Sequence, residues 1–165
     1  MTSTTLPVTL REITVGNRQA VEALAVTEAQ SDYVTGVAES LVVAGQTPDA
    51  CPWYRAVYAG EEPVGFVMVS DGISVVNPDY LGPYYLWRLL IDQRHQGRGY
   101  GSAALRLAVA HVRTREDAEV LITSVGQGSH SPLEFYVRHG FHATGEVHNG
   151  ELVLELDLAS RASGS

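Results

Sequence analysis

Cysteine is nearly missing from this chain, with Cys51 standing alone. One thiol cannot close an internal disulfide, so no disulfide framework organises the fold and a reducing compartment is expected. Basic residues are also scarce, 11 against 19 acidic, for a formal charge of −8. Nucleic acid is thereby disfavoured as the main partner, because a phosphate backbone calls for a basic face. An acidic surface would steer a cationic substrate inward, although it also serves plain solubility. Long apolar runs are lacking too, and no basic region followed by an apolar one opens the sequence. The expectation is a cytoplasmic protein without a membrane partner. Finally, no Lys-Ser or Lys-Thr occurs, which excludes a Walker phosphate loop.

What is present centres on Tyr84–Leu107, YYLWRLLIDQRHQGRGYGSAALRL. Its first eight residues, aromatic and branched, read as a buried strand. After a short polar segment, Gln96-Gly97-Arg98-Gly99-Tyr100-Gly101 opens directly into the helical pattern from Ser102. Glycines let a backbone approach a ligand closely, and the first N–H groups of a helix lack intrahelical partners. Strand, glycine turn and helix start therefore make an anion site, and phosphate is its natural occupant. A dinucleotide fingerprint would need G-x-G-x-x-G tight against a first strand. Here Gly97, Gly99 and Gly101 form G-x-G-x-G, five residues and more beyond Ile91 and past mid-chain.

The chain's 165 residues, 45% hydrophobic, predict one domain over 1–165 with a core over about 8–158 and flexible tails at 1–6 and 159–165. In order, the pattern predicts a strand over Val8–Val15, a helix capped by Asn17 and running to about Val26, and a second helix capped by Ser31 or Asp32. The second presents Val34, Val37, Ala38, Leu41 and Val42 on one face and ends at Gly45. A hairpin over Tyr54–Ala59 and Val64–Ser70 follows, then a loop over Asp71–Pro83. The organising strand and a helix to about Arg113 lead into a strand over Glu119–Val125, whose parallel pairing would complete a βαβ crossover. Pro132 opens a short helix ending near Gly140. Two last strands, Phe141–Val147 and Leu152–Leu158, turn at Asn149-Gly150.

Gln96, Gly99 and Gly101 match the form Gln/Arg-x-x-Gly-x-Gly/Ala, and Phe135-Tyr136 ahead of Gly140-Phe141 matches F-Y-x-x-x-G-F. In these motifs and in the order β-α-α-β-β-β-α-β-α-β-β the chain resembles the GNAT N-acetyltransferase superfamily, most closely from Tyr84 to Glu155. The resemblance implies an α/β acyl-CoA N-acyltransferase fold, a mixed central sheet of six to seven strands flanked by about four helices. It implies an enzyme that moves an acetyl group from acetyl-CoA to an amine by direct attack. Carried over, main-chain groups of Leu89, Leu90 and Ile91 hold the pantetheine arm. Gln96, Gly97, Arg98, Gly99, Tyr100, Gly101 and Ser102 take the pyrophosphate. Tyr136 protonates the departing thiolate, as a phenol of pKa about 10 facing a thiol of about 8.5 can do. Many relatives have Asn near the start of the short helix, and Ser129 stands in that place here.

An alkylammonium is not nucleophilic, so acetyl transfer also needs a proton acceptor, directly or through water. The sequence offers Glu28, Asp32, Glu39, Asp92, Glu146 and Glu151 without choosing among them, and Asp92 has the alternative of orienting the loop through Arg94 or main-chain amides. Arg88, a charge in an apolar strand, must face solvent or a cleft. YYLWRLLIDQRHQGRGYG, with Glu28-Ala-Gln30 and Glu39-Ser40-Leu41, is similar to the bacterial spermine/spermidine (diamine) acetyltransferases. That similarity points to a polyamine acceptor. The superfamily resemblance implies an acceptor side formed by the early helices, with Glu28, Asp32 and Glu39. Trp87 of the organising strand and Asp92 at its end are expected on the substrate side with them. Another amine acceptor, or an acyl-CoA-binding module without catalysis, stays open. So does a homodimer, common in the superfamily. His139, His142 and His148 read as surface residues and not as metal ligands, and no metal is expected.

Overall fold

The computed structural model describes residues 6–74 and 77–159. The predicted tails at 1–6 and 159–165 fall, apart from Leu6 and Ala159, outside the described residues. Seven strands form one mixed sheet: β1 (Val8–Arg11), β2 (Pro52–Ala59), β3 (Glu62–Asp71), β4 (Tyr84–Ile91), β5 (Val120–Val125), β6 (His142–His148) and β7 (Glu151–Asp157). Their order across the sheet is β1-β2-β3-β4-β5-β7-β6. Four helices flank it: α1 (Arg18–Glu22), α2 (Val37–Gln46), α3 (Tyr100–Arg113) and α4 (Leu133–Arg138). Every neighbouring pair is antiparallel except β4 and β5, which α3 joins as a parallel crossover.

Each face of the sheet carries its own apolar layer. On one, Tyr100, Ala104, Leu105, Ala108, Val109 and Val112 of α3 recur at helical spacing and cover Val57, Val67, Val69, Leu86, Leu121 and Leu154. On the other, Val21 of α1 and Val37, Leu41 and Ala44 of α2 cover Ala56, Phe66, Met68 and Leu90.

The early helices are shorter than their pattern predicts. The chain leaves α1 at Ala23, before the apolar Leu24–Val26 can continue it. Asn17 does not cap α1 with its side chain. Its Oδ1 accepts from the Thr14 N–H at 2.7 Å, and its amide donates to the Glu12 carbonyl and the Tyr58 hydroxyl. Ser31 and Asp32 belong to a single 3-10 turn, and α2 starts only after Gly36, which is extended (φ −66°, ψ 168°). Starting at Val37 rotates the buried stripe, so Val42 is exposed and Gly45 lies inside the helix. Strand β1 ends at Arg11, where its pairing with β2 stops.

The organising strand carries a bulge. Met68 pairs with Arg88 and Val69 with Leu86, so Trp87 is an extra residue in β4. Side chains alternate along a strand, and one inserted residue reverses the alternation. Tyr84 and Leu86 face α3 before the bulge, and Leu89 and Ile91 face it afterwards, while Trp87 and Leu90 turn to the α2 side. Gly65 of β3 lies under the far end, where any Cβ would collide with the Leu90 carbonyl and Ile91.

Candidate active site

The site follows from β4 and β5 drifting apart. Their parallel pairing is confined to Tyr85 with Ile122 and Leu86 with Thr123. Beyond that point β4 pairs with β3 alone. The Thr123 hydroxyl donates to the Leu86 carbonyl at 3.0 Å and closes the seam where the strands split. A cavity of 460 Å³ opens below it, lined by Leu89, Leu90 and Ile91 on one wall and by Thr123–Val125 on the other. Gln96, Gly101, His130–Pro132, Phe135 and Tyr136 line it as well.

The glycine turn ends in the geometry an anion needs. Gly97 and Gly99 have φ of 80° and 85°, which favour glycine over any side chain. The first main-chain bond of α3 runs from the Ala103 N–H to the Gly99 carbonyl. The N–H groups of Tyr100, Gly101 and Ser102 therefore have no intrahelical carbonyl. A diphosphate fits there, at the positive end of a 14-residue helix, and a pantetheine arm fits the gap, whose β4 wall has lost its strand neighbour.

The loop is held from three sides. Gln96 donates to the Ile91 carbonyl at 2.9 Å and exchanges two amide hydrogen bonds with Gln30, at 2.8 and 3.2 Å. Asp92 is buried outside the cavity, with neither carboxylate oxygen turned toward it. One oxygen accepts from the Arg94 N–H and Nε at 2.9 and 2.8 Å, and the other from the Ala25 N–H at 2.9 Å. Ser102 donates to His139 Nε2 at 2.8 Å. His139 Nδ1 donates to the Phe135 carbonyl at 2.7 Å, so a neutral ring accepts the serine proton. His139 thus ties α4 to the start of α3 and is half-buried, unlike the surface histidine expected of it.

Burial of Asp92 pushes its carboxyl pKa up, but hydrogen bonds from the Arg94 side chain and from the Ala25 and Arg94 N–H groups outweigh it and hold the pKa below the usual value. A depressed folded-state pKa contributes stability above the unfolded value, about 3.9 for Asp. That stability is lost as pH falls through the folded value. Asp92→Asn should cost about 1–3 kcal/mol at neutral pH. Urea melts should show the gap to wild type narrowing on acidification below about pH 3.9.

The expected residues therefore divide. Leu89, Leu90, Ile91, Gln96 and Gly101 meet at the cavity with Trp87, Asp32 and Tyr136. Gly97 and Gly99 shape the turn beside it, and Arg98 is exposed there. Tyr100 buries its side chain in the α3 core, leaving its main chain for the turn. Ser129 is exposed and does not line the cavity, whereas its neighbours His130, Ser131 and Pro132 do. Glu28 and Glu39 are exposed and do not line it.

Tyr136 is buried, with Phe135 and Phe141 packed edge-on around its ring. Burial pushes its pKa well above the usual tyrosine value, Tyr85 adds to the rise, and a hydrogen bond with Thr123 opposes it. The phenol therefore stays protonated at neutral pH.

Beside the first cavity, on the α2 face of the sheet, lies a second of 290 Å³, lined by Ser70, Asp79, Tyr80, Leu81, His148 and Asn149 among others. Tyr85, Trp87, Arg88, Ser124 and Glu151 line both cavities. Arg88 therefore faces a cleft. Its Nε donates to Ser40 Oγ at 3.1 Å, its guanidinium also donates to the Trp87 carbonyl, and burial lowers its pKa. Tyr85, Ser124 and Glu151 are hydrogen-bonded in series, an array no local motif announced because its members come from three strands. Among the described residues no three His, Cys, Asp or Glu side chains converge as a metal site.

Residues 18–141 match the model of the acetyltransferase (GNAT) family. The chain is 28% identical over 156 residues to the spermine/spermidine N(1)-acetyltransferase of Bacillus subtilis, covering 93% of this chain and 100% of that protein. Its fold superposes on the aminoglycoside acetyltransferase AAC(6')-Ib in complex with coenzyme A with a TM-score of 0.74 at 14% identity, covering 95% and 99% of the two chains. It superposes on the PaiA N-acetyltransferase of Thermoplasma acidophilum, also with coenzyme A, with a TM-score of 0.64 at 13% identity, covering 92% and 99%. A split parallel pair, a glycine turn at a helix start and a family match spanning both have one common reading: the chain belongs to the GNAT acetyltransferase family and is an acetyl-CoA-dependent N-acetyltransferase.

Proposed function

We propose that this enzyme acetylates a primary amine of a polyamine or diamine such as spermine or spermidine. In this reading acetyl-CoA enters from the α3–α4 face, with its pyrophosphate over Gln96–Ser102 and its pantetheine arm along Leu89–Ile91. The acceptor enters through the second cavity. The carrying observation is that two adjoining cavities share one wall, at Tyr85, Trp87, Arg88, Ser124 and Glu151. Asp79 and Glu151 supply carboxylates on the acceptor side, and Trp87, Tyr80 and Tyr85 supply aromatic surface. That combination suits an alkylammonium chain, which pairs with carboxylates and rests on aromatic faces. The name of the Bacillus subtilis relative supports the same acceptor class.

The chemistry then divides across the sheet. Tyr136, on the α3 side, donates its proton to the thiolate as the C–S bond breaks, and recovers one from solvent. Gln30 and Asp32, on the segment between α1 and α2, border the first cavity.

A second reading has its own observation. Arg88 lines the acceptor cavity and has no ion pair with a carboxylate among the described residues. A guanidinium without a carboxylate partner there favours an acceptor that carries an anionic group beside its amine, such as an amino acid.

Thiol release from acetyl-CoA separates the two readings, measured with spermine, spermidine, putrescine, an aminoglycoside, amino acids and a peptide. The proposal expects the highest kcat/KM with a polyamine, and Arg88→Gln to leave that turnover in place. Turnover confined to amino acids, and lost in Arg88→Gln, would replace it.

A further inference from the structure

We propose that Glu151 takes the proton from the acceptor's ammonium through Ser124 and Tyr85, so that these three side chains form the acceptor-side proton path. The inference rests on the amine-acetylation reading above and names the group that reading leaves open.

The geometry is a directed chain. Ser124 Oγ donates to Glu151 Oε1 at 2.7 Å. Its single proton is thereby committed, so the 2.8 Å contact between Tyr85 Oη and Ser124 Oγ has the phenol as donor. Both hydroxyl protons point toward the carboxylate. The free lone pairs of the Tyr85 oxygen remain as acceptors at the wall shared by the two cavities. Such an array accepts a proton at one end and delivers one at the other without any side chain moving.

Its position matches the split in the sheet. Along β5, Leu121 and Val125 belong to the α3 layer, and Thr123 bonds to Leu86 on β4. Ser124, between Thr123 and Val125, projects from the other face by strand alternation. Tyr85 precedes Leu86 on β4 and takes the same opposite face. Tyr136 therefore approaches the gap from one side and the Tyr85–Ser124–Glu151 array from the other, and an acyl group in the gap lies between donor and acceptor.

The step balances. An N–H of the ammonium hydrogen-bonds to Tyr85 Oη. As its proton passes to that oxygen, the phenol proton moves to Ser124 and the serine proton to Glu151 Oε1, leaving a neutral amine with a free electron pair. That pair forms the C–N bond to the acyl carbon, and the C–S electron pair leaves on sulfur, which is protonated by Tyr136. The nitrogen loses two protons in all. One is matched by the proton on the thiol, and the other passes to solvent.

The groups around Glu151 come from every neighbouring element. Arg88 and Tyr85 on β4, Ser124 on β5, His148 opposite it on β6, and Asp79 and Tyr80 from the loop before β4 share its cavity. Glu39 on α2 acts on the charge of Arg88. The second cavity opens beside Glu151 and offers the proton a way to solvent.

The test is the pH dependence of kcat/KM for the best amine from the panel, in Tyr85→Phe, Ser124→Ala and Glu151→Gln, with CoA affinity measured by calorimetry. Each variant should lose about 100-fold at neutral pH, within the range of general acid–base contributions. The deficit should shrink as pH rises toward the amine's own pKa of about 10, because the neutral amine then arrives without help. Ser124→Ala combined with Glu151→Gln should be no worse than either alone, as for groups that act as a unit. CoA affinity should stay at the wild-type value. A deficit independent of pH, or one that follows a loss of CoA affinity, would assign these residues to packing and overturn the proposal, as would wild-type rates. CoA binding by wild type without turnover on any amine would remove the amine-acetylation reading itself, and the proton path with it.

Discussion

A Gly99→Glu variant is expected to fold and yet lose more than about 100-fold in affinity for CoA. Gly99 sits immediately before α3 with φ of 85°, and a Cβ built on it meets nothing within 4 Å. The substitution therefore brings backbone strain of roughly 1–2 kcal/mol and no collision. Its carboxylate is a different matter, because it extends beside the helix start where the pyrophosphate is proposed to bind. Two like unit charges about 5 Å apart at an effective dielectric near 20 repel by about 3 kcal/mol, close to a factor of 200 in affinity. Gly99→Ala carries the strain without the charge, so it separates the two effects. Calorimetric titration with CoA reads both variants. A Gly99→Glu enzyme that binds CoA as wild type does would place the anion away from this turn.

Tyr136→Phe should lower kcat by about 10²–10³-fold while leaving CoA affinity and melting temperature near wild type. The ring is what packs against Phe135 and Phe141, and the substitution keeps it. Only the hydroxyl is lost. Burial, with Tyr85 adding to it, keeps the phenol's pKa above its ordinary value of about 10. The donor form is therefore present throughout the neutral and mildly alkaline range. Wild-type kcat should show no alkaline decline from this group below about pH 10. A Phe variant with undiminished kcat would reject Tyr136 as the acid.

The elements that were legible in advance share a property: their signals are local. The run Tyr84–Ile91 is a strand to the residue, and Asn149-Gly150 turns the last hairpin with both residues at positive φ. The turn Gly97–Gly101 and the helix after it were readable because φ near 80° and an open helix start impose glycine directly on the sequence. The first half was less legible. Val34, Val37, Ala38, Leu41 and Val42 fit one helical stripe, but Gly36 stays extended and α2 begins at Val37, which turns Val42 to solvent. Periodicity alone does not say where a helix starts when no side-chain cap marks the place.

Asp92 shows the same limit at the site. Its place at the end of β4 suggested either the substrate side or an orienting role through Arg94 and main-chain amides. The fold decides for the second, with Arg94 and with Ala25, 67 residues earlier. Ser129 aligned with a cofactor contact, yet His130 and Ser131 reach the cavity while Ser129 is exposed. His139 read as a surface histidine because nothing adjacent in sequence reveals that Ser102 comes to meet it.

The sequence by itself determined the order of strands and helices, the glycine turn before α3 and the Phe135-Tyr136 pair, since each is encoded within a few consecutive residues. Tertiary structure alone decided the rest. The bulge at Trp87 reverses which side chains of β4 face each layer, and the parting of β4 from β5 makes the cavity. Strand pairing then brings Tyr85, Ser124 and Glu151, from β4, β5 and β7, into one hydrogen-bonded line. Register is a property of paired strands, and residues 39 and 27 positions apart along the chain carry no local trace of the contact they make.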